Sequence, residues 1–397
     1  MLRANGFALF RGPDASRLAE DGAARVQRFG RREMLQLTEK VDGRVVVTAN
    51  LLGGEDTLPV VQGFVSGGSF RDGEPHSGEF AFLARSGQSF VVGRDALGTR
   101  PLYSNESGSV VASDHRYFPS GDRPVLLARG ESLLVGSMKT KGVRTLGAEE
   151  AGTFAESASR LAKVLDEAVS RRVEPCKRVA VSFSGGLDSS LIALLASRHC
   201  EVILCSAFVG SSRDQSAVSG AAALLDLDDF GVEVGTAAVE EELRSMSLPF
   251  EATPMDKALW ALYSTTARSA AAEGAELMLL GQLADELFGG YMKYSIAAKK
   301  AEGLAESMME ADIANSAERA FVRDEAACSR FVEPRFPFAD EAVVSLARGM
   351  PLSYKISAQQ RKAVLRAAAT QLGLPEELVN APKKAAQYSS GIGKLVS

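Results

Sequence analysis

Ser184-Gly185-Gly186-Leu187-Asp188-Ser189-Ser190 brings hydroxyls, bare backbone and one carboxylate together within seven residues. Two adjacent glycines let backbone N–H groups approach an anion with no Cβ between them. Ser184, Ser189 and Ser190 add hydroxyl donors, and Asp188 offers an oxygen ligand suited to Mg2+. The apolar run Val179-Ala-Val-Ser-Phe183, with Ser182 near its end, precedes this segment, and Leu191-Ile-Ala-Leu-Leu-Ala196 follows it at helical spacing. The pattern predicts a buried strand, a tight turn and a helix starting near Asp188. The unpaired N–H groups and partial positive charge of that helix start favour an anion. A pyrophosphate cradle is the expected chemistry. The lysine of a Walker A loop and the spacing of GxGxxG are both missing.

A second loop follows the short apolar run Leu277-Met-Leu-Leu280 and reads Gly281-Gln-Leu-Ala-Asp-Glu-Leu-Phe-Gly-Gly-Tyr291. Open α/β sheets bind ligands at the carboxyl ends of their strands, where a glycine followed by acids would stand. Asp285 is expected to join Asp188 in holding Mg2+ across a triphosphate.

The first loop resembles the PP-loop of the ATP pyrophosphatases, which cleave ATP to AMP and pyrophosphate. Both loops together resemble asparagine synthetase, and further segments follow in that family's order. Glu333-Pro-Arg-Phe-Pro-Phe-Ala-Asp340, Lys362-Ala-Val-Leu-Arg366 and the lysine-bearing tail Lys383-Lys-Ala-Ala-Gln-Tyr-Ser-Ser-Gly391 belong to the later part. Gly78-Glu-Phe-Ala-Phe82, Arg94-Asp-Ala-Leu-Gly-Thr-Arg-Pro-Leu-Tyr103 and Ala112-Ser-Asp-His-Arg116 are similar to the family's glutaminase domain. The resemblance implies an N-terminal Ntn-hydrolase-like αββα-type β-rich domain over 1–148. A PP-loop domain of the adenine nucleotide α-hydrolase type, with a parallel sheet and a helical C-terminal part, is implied over 149–397.

It also implies a reaction: a carboxylate, most simply that of aspartate, is adenylated by MgATP, and ammonia or an amine then displaces AMP. Pyrophosphate would rest on Ser184, Gly185, Gly186 and Ser189, with Ser182, Leu187 and Ser190 completing the loop. Asp188 and Asp285 would hold the metal, and adenine would lie near Ala207, Leu280 and Gly281. Lys384, or Lys383 if the register slips by one, would neutralise the phosphates, with Lys362 as a further contact. Family members are usually dimers, so a homodimer is a candidate assembly.

Two departures qualify the likeness. The family's glutaminase uses a cysteine at its processed N-terminus, whereas position 2 is Leu and the first cysteine is Cys176. The expectation is a chain that uses ammonia and does not itself hydrolyse glutamine. Gln282 stands where the family usually has Glu, and an amide cannot act as general base. Either Glu286 or another group substitutes for it, or the second half-reaction differs. A β-lactam-synthetase-like ligase and a non-catalytic nucleotide-binding regulator are the alternatives. Phe250-Glu-Ala-Thr-Pro254 is a weak candidate for acceptor contacts.

The elements that must position these groups are legible as pattern. Short β-like runs at 44–49, 80–84, 89–93 and 110–113 suggest antiparallel hairpins, with 136–142 as a turn and a helix over 154–169. From 179 onward strands alternate with helices, as in a parallel sheet covered on both faces; strands are expected at 202–206 and 277–280, and helices at 214–224 and 256–272. Residues after 288 read as mostly helical, with a Pro-bearing break at 331–338. The chain has 397 residues, 46% hydrophobic and 24% charged, with formal charge −5. That length suits two domains, and the acidic balance argues against nucleic-acid binding. No apolar run approaches the roughly 20 residues needed to span a bilayer, and the N-terminus lacks a signal-peptide pattern, so a cytoplasmic protein without a membrane partner is expected. Cys200 and Cys205, with His199 beside them, read as apolar thiols rather than a zinc site.

Overall fold

The computed structural model describes residues 2–27, 36–41, 45–53, 60–66, 70–71, 74–87, 89–135, 137–174, 176–210, 213–357, 360–381 and 390–396. Two compact units divide the chain. The first contains Met1–Thr145 together with Ser247–Glu251 and Ala317–Ala326; the second contains Leu146–Met246, Ala252–Ser316 and Ala327–Ser397.

Among the described residues, the first unit is built on an 11-stranded sheet. Strand Leu2–Arg11 pairs antiparallel with Val45–Gly53 and Val110–Ala112, and parallel with Val60–Val65. Its residues alternate between two cores. Phe7 and Leu9 pack with Leu83, Val92 and Val111, while Ala8 and Phe10 pack with Ala15 and Ala19 of helix Ala15–Gln27. Phe7–Phe10, buried on both faces, reads accordingly as a continuous apolar run. The pattern at 78–94 resolves into the hairpin Gly78–Ser86 and Ser89–Arg94. The expected turn at 136–142 is instead largely strand. Lys139–Val143 pairs with Glu131–Leu134 at the rim of the sheet, every one of its residues exposed.

Charged residues organise the interior of this unit. The Arg94 guanidinium donates to the carbonyls of Arg100 (2.7 Å), Leu127 (2.7 Å) and Gly98 (2.6 Å). Asp95 accepts from Phe80 N, Thr99 N and Thr99 Oγ1 at 3.1, 2.9 and 2.7 Å. Arg100 is fully buried; it pairs with Glu325, 225 residues later in the chain, and lies 3.9 Å from Glu79. Gln62 Nε2 donates to the other Glu325 oxygen at 2.9 Å. Buried charges need such partners because desolvation alone would expel them. Phe250 also has a partner in this unit: the Arg319 guanidinium lies over its ring at 4.2 Å.

The second unit carries a five-stranded parallel sheet in the order Asp228–Glu233, Glu201–Phe208, Arg178–Ser182, Leu277–Leu279, Glu333–Arg335. The central strand is first in the chain, and Val179, Ala180 and Val181 are fully buried. Two of the five were not legible. The Pro-bearing break at 331–338 contains the edge strand Glu333–Arg335, in register with Leu277–Leu279, and Asp228–Glu233 forms the opposite edge. Cys205 lies inside strand Glu201–Phe208, and burial pushes its thiol up to about 12.

Helix Phe154–Val173 starts at Thr153 with a capping box to Glu156. Helix Pro254–Ala272 starts in the same way at Thr253 with Asp256, and Pro254 opens its first turn. Beyond Phe288 the described chain is mainly helical, as expected. Among the described residues no helix is long and apolar enough to cross a membrane.

Candidate active site

The central strand Arg178–Ser182 has Glu201–Phe208 on one side and Leu277–Leu279 on the other, with Val181 opposite Leu279. Chain order therefore reverses at its carboxyl end, the switch point where α/β sheets form a ligand crevice. Both loops singled out by the sequence leave the sheet here, from neighbouring strands.

In the first loop Gly185 has φ +68°, a left-handed conformation suited to glycine. A Cβ there would stand 3.3 Å from Ala221 Cβ and 3.4 Å from Val218 Cα, so helix Arg213–Leu225 packs tightly behind the turn. Gly186 caps helix Leu187–Ala196 without any side-chain hydrogen bond, leaving the helix start to other acceptors. Ser184 Oγ and Ser189 Oγ are 3.2 Å apart, and Ser184 Oγ accepts from Gly186 N at 3.4 Å. Ser190 is fully buried and its hydroxyl has no hydrogen-bond partner among the described residues. Leu187 is buried, while Ser182 closes the strand half-buried.

In the second loop, Leu280 N donates to Arg335 O at 2.9 Å, fixing the strand end. A Cβ on Gly281 would lie 3.3 Å from Asp188 Cβ, so glycine here lets the two loops approach closely. Gln282 is half-buried, and Leu283 turns the chain at φ +74° into helix Ala284–Phe288. Ala207 is packed beside Val234 and Ile392. Its strand end is held by the returning C-terminal segment, where Val209 N donates to Ser390 O at 2.8 Å.

Asp188 and Asp285 converge on one cation. Lys362 Nζ lies 2.7 and 2.6 Å from the two Asp188 oxygens and 2.6 Å from Asp285 Oδ1. Lys362 is 3% exposed and holds a left-handed backbone, φ +59°, at the start of helix Ala363–Gln371. Burial pulls its ammonium down, but the two carboxylates more than offset this and hold it above the usual lysine value. Gly290 makes the approach possible: a Cβ there would overlap Asp285 Oδ1 and Lys362 Cε. Lys362 was expected from the resemblance as a phosphate contact and here stands between the two carboxylates; its left-handed backbone, the closeness of Gly290 and Arg361, whose guanidinium donates to Gly290 O, were not read from sequence. The Gly289-Gly290 pair was the only local signal. Lys383 and Lys384 lie outside the described residues.

The donor set suits a hard cation. A compact ammonium already sits among three carboxylate oxygens, and Mg2+ is typically held by one or two carboxylates plus phosphate oxygens and water. Among the described residues no group of three or more His, Cys, Asp and Glu could hold a metal by itself, so any ion here would complete its shell from a bound ligand.

Glu286, 8% exposed, accepts from Tyr291 OH at 2.9 Å. Burial first, and then the neighbouring Asp285 charge, raises its carboxyl from 4.5 to about 7. A folded state that binds this proton more tightly than the unfolded chain loses stability as pH rises between those two values. Glu286→Gln, which never ionises, is therefore expected to be more stable than the parent by on the order of a few kcal/mol near pH 8, and nearly equal near pH 4. Urea denaturation at both pH values reads the difference; an offset independent of pH would show that Glu286 ionises freely.

A switch-point crevice, an uncapped helix start and two convergent carboxylates define an α/β unit of the nucleotide-binding class. The chain belongs to the asparagine synthase family, whose model matches residues 160–328 and 297–395. It is 30% identical over 279 residues to a putative glutamine-hydrolyzing asparagine synthetase of Methanocaldococcus jannaschii, covering 62% of this chain and 51% of that protein. A glutamine-hydrolyzing asparagine synthetase of Oryza sativa subsp. japonica is 28% identical over 350 residues, covering 80% and 58%. The chain thus spans about half the length of the curated relatives it matches. Among solved structures, NMN synthetase from Francisella tularensis aligns at TM-score 0.33 and 12% identity, over 60% of this chain and 77% of that one.

Proposed function

We propose that this protein is an ATP-dependent synthetase that joins a nitrogen nucleophile to a carboxylate, releasing AMP and pyrophosphate. The observation that carries the reading is the convergence of Asp188 and Asp285 at adjacent strand ends, beside a helix start with no side-chain cap. In the first step a substrate carboxylate oxygen, most simply that of aspartate, bonds to the α-phosphorus of ATP, and the bond to the β-phosphate oxygen breaks. Backbone N–H groups of the 184–189 loop and the hydroxyls of Ser184 and Ser189 take up charge on the departing pyrophosphate, an electrostatic role often worth several kcal/mol. Asp188 and Asp285 would hold Mg2+, which supplies charge neutralisation across the phosphates. Lys362, with Lys384 or Lys383 from the tail, adds fixed positive charge, and adenine lies toward Ala207 and Leu280-Gly281. In the second step ammonia attacks the acyl carbon, AMP leaves, and the nitrogen loses a proton; Glu286 is the carboxylate assigned to that proton, because Gln282 cannot take it.

Ammonia is the proposed donor because the first unit, read as a degenerate glutaminase-like domain, contains no cysteine. Pyrophosphate release from ATP and aspartate is expected with ammonium alone, and glutamine in its place should support under about a tenth of that rate, since glutamine amide is a poor nucleophile without hydrolysis. Equal rates with glutamine would refute the ammonia assignment. ATP binding without pyrophosphate release across a panel of carboxylates and amines would refute the synthetase.

A further inference from the structure

Lys362 stands where a metal ion between Asp188 and Asp285 would stand. Its Nζ touches both Asp188 oxygens and one Asp285 oxygen within 2.7 Å. A divalent ion and an ammonium cannot share that point, because like charges a few ångström apart repel strongly in a site shielded from water. The two carboxylates share this one cation, and glycine at 281 and 290 leaves room for the second loop to approach Asp188 and for Asp285 and Lys362 to meet. The lysine is anchored at a left-handed backbone conformation that L-residues seldom adopt, φ +59°. Strain of this kind persists where surroundings over-determine it. The two carboxylates are the partners that hold it.

We propose that Lys362 is a resident cation, which occupies the metal position of the nucleotide-free protein and yields it to a divalent ion when nucleotide phosphates arrive. This rests on the reading of Asp188 and Asp285 as the metal-holding pair. Phosphate oxygens give the displaced ammonium a new partner, so metal and nucleotide load together. Metal alone must compete with a tethered cation, and its apparent affinity falls by the fraction of molecules in which the lysine has swung away. The protein then rejects free divalent ions while accepting a metal-nucleotide complex.

The test is titration calorimetry of Mn2+ into the full chain without nucleotide, for the parent, Lys362→Met and Lys362→Arg. Lys362→Met is expected to bind Mn2+ about 10- to 100-fold more tightly than the parent, matching a competent state populated at roughly 1–10%. Lys362→Arg, which keeps a cation, should stay near the parent. Because the Met variant leaves two buried acids opposed, Lys362→Gln serves as a second case; if neither folds alone, refolding on Mn2+ addition supports the proposal, and failure to refold overturns it. Asp188→Asn and Asp285→Asn separate the two levels of inference. If both weaken Mn2+-dependent binding of a non-hydrolysable ATP analogue while Lys362→Met binds Mn2+ no better than the parent, the resident-cation proposal fails and the metal pair stands. If neither weakens it, the metal reading fails and takes this proposal with it.

Discussion

Asp188→Asn is expected to cut pyrophosphate release from ATP by at least about 100-fold, the scale seen when a charge-stabilising group is lost. The carboxylate sits in the first turn of helix Leu187–Ala196, within 2.7 Å of Lys362 Nζ through both oxygens. An amide of the same shape keeps one acceptor oxygen but brings no charge for a metal. The fold should survive, because Asp285 still holds the lysine at 2.6 Å, and the stability loss should be about 1–3 kcal/mol, typical for a charge-assisted hydrogen bond. Initial rates with aspartate and ammonium, taken well below the melting temperature, separate the two effects. Turnover within about tenfold of the parent would place the metal elsewhere.

Gly290→Ala should be nearly as damaging, for reasons of space alone. One added methyl would collide with Asp285 Oδ1 and Lys362 Cε, and both belong to the cluster that fixes the two loops. Overpacking of this kind costs roughly 1–3 kcal/mol, and displacement of a reacting group by about 1 Å can cost about 100-fold in rate. Gly303→Ala is the control: nothing lies within 4 Å of a Cβ there. It sits in helix Glu302–Asn315, where alanine is favoured over glycine by up to about 1 kcal/mol. Thermal denaturation and turnover of both variants, side by side, decide whether the close approach at Gly290 matters. A fully active Gly290→Ala protein would mean that the Asp285–Lys362 contact is dispensable.

What the sequence disclosed follows from what each residue needs locally. Gly185 and Gly186 marked a tight turn, which Gly185 makes in a left-handed conformation, and Val179–Val181 is apolar because both faces of its strand are covered. Those requirements lie within a few residues and can be read in order. Three of the strands that escaped notice are rims, while others, Leu2–Arg11 and Val60–Val65 among them, lie inside the sheet. Lys139–Val143, Asp228–Glu233 and Glu333–Arg335 each have one neighbour, so no alternation of buried and exposed residues marks the first two. The third hides behind Pro334, which an edge tolerates. Asp188 and Asp285 could be named from their loops, whereas the lysine that joins them lies 174 residues beyond Asp188. Nothing in Lys362-Ala-Val-Leu-Arg366 signals a left-handed backbone or a partner so distant.

The pairing of Arg100 with Glu325 has a consequence during synthesis. Ribosomes add about 5–20 residues per second, so the 225 residues between them take roughly 10–45 s to emerge. Throughout that interval the nascent first unit lacks both its Glu325 countercharge and the Ala317–Ala326 segment. It must wait, incompletely assembled, while much of the second unit is made, and chaperone capture or proteolysis of stalled chains should concentrate in that window.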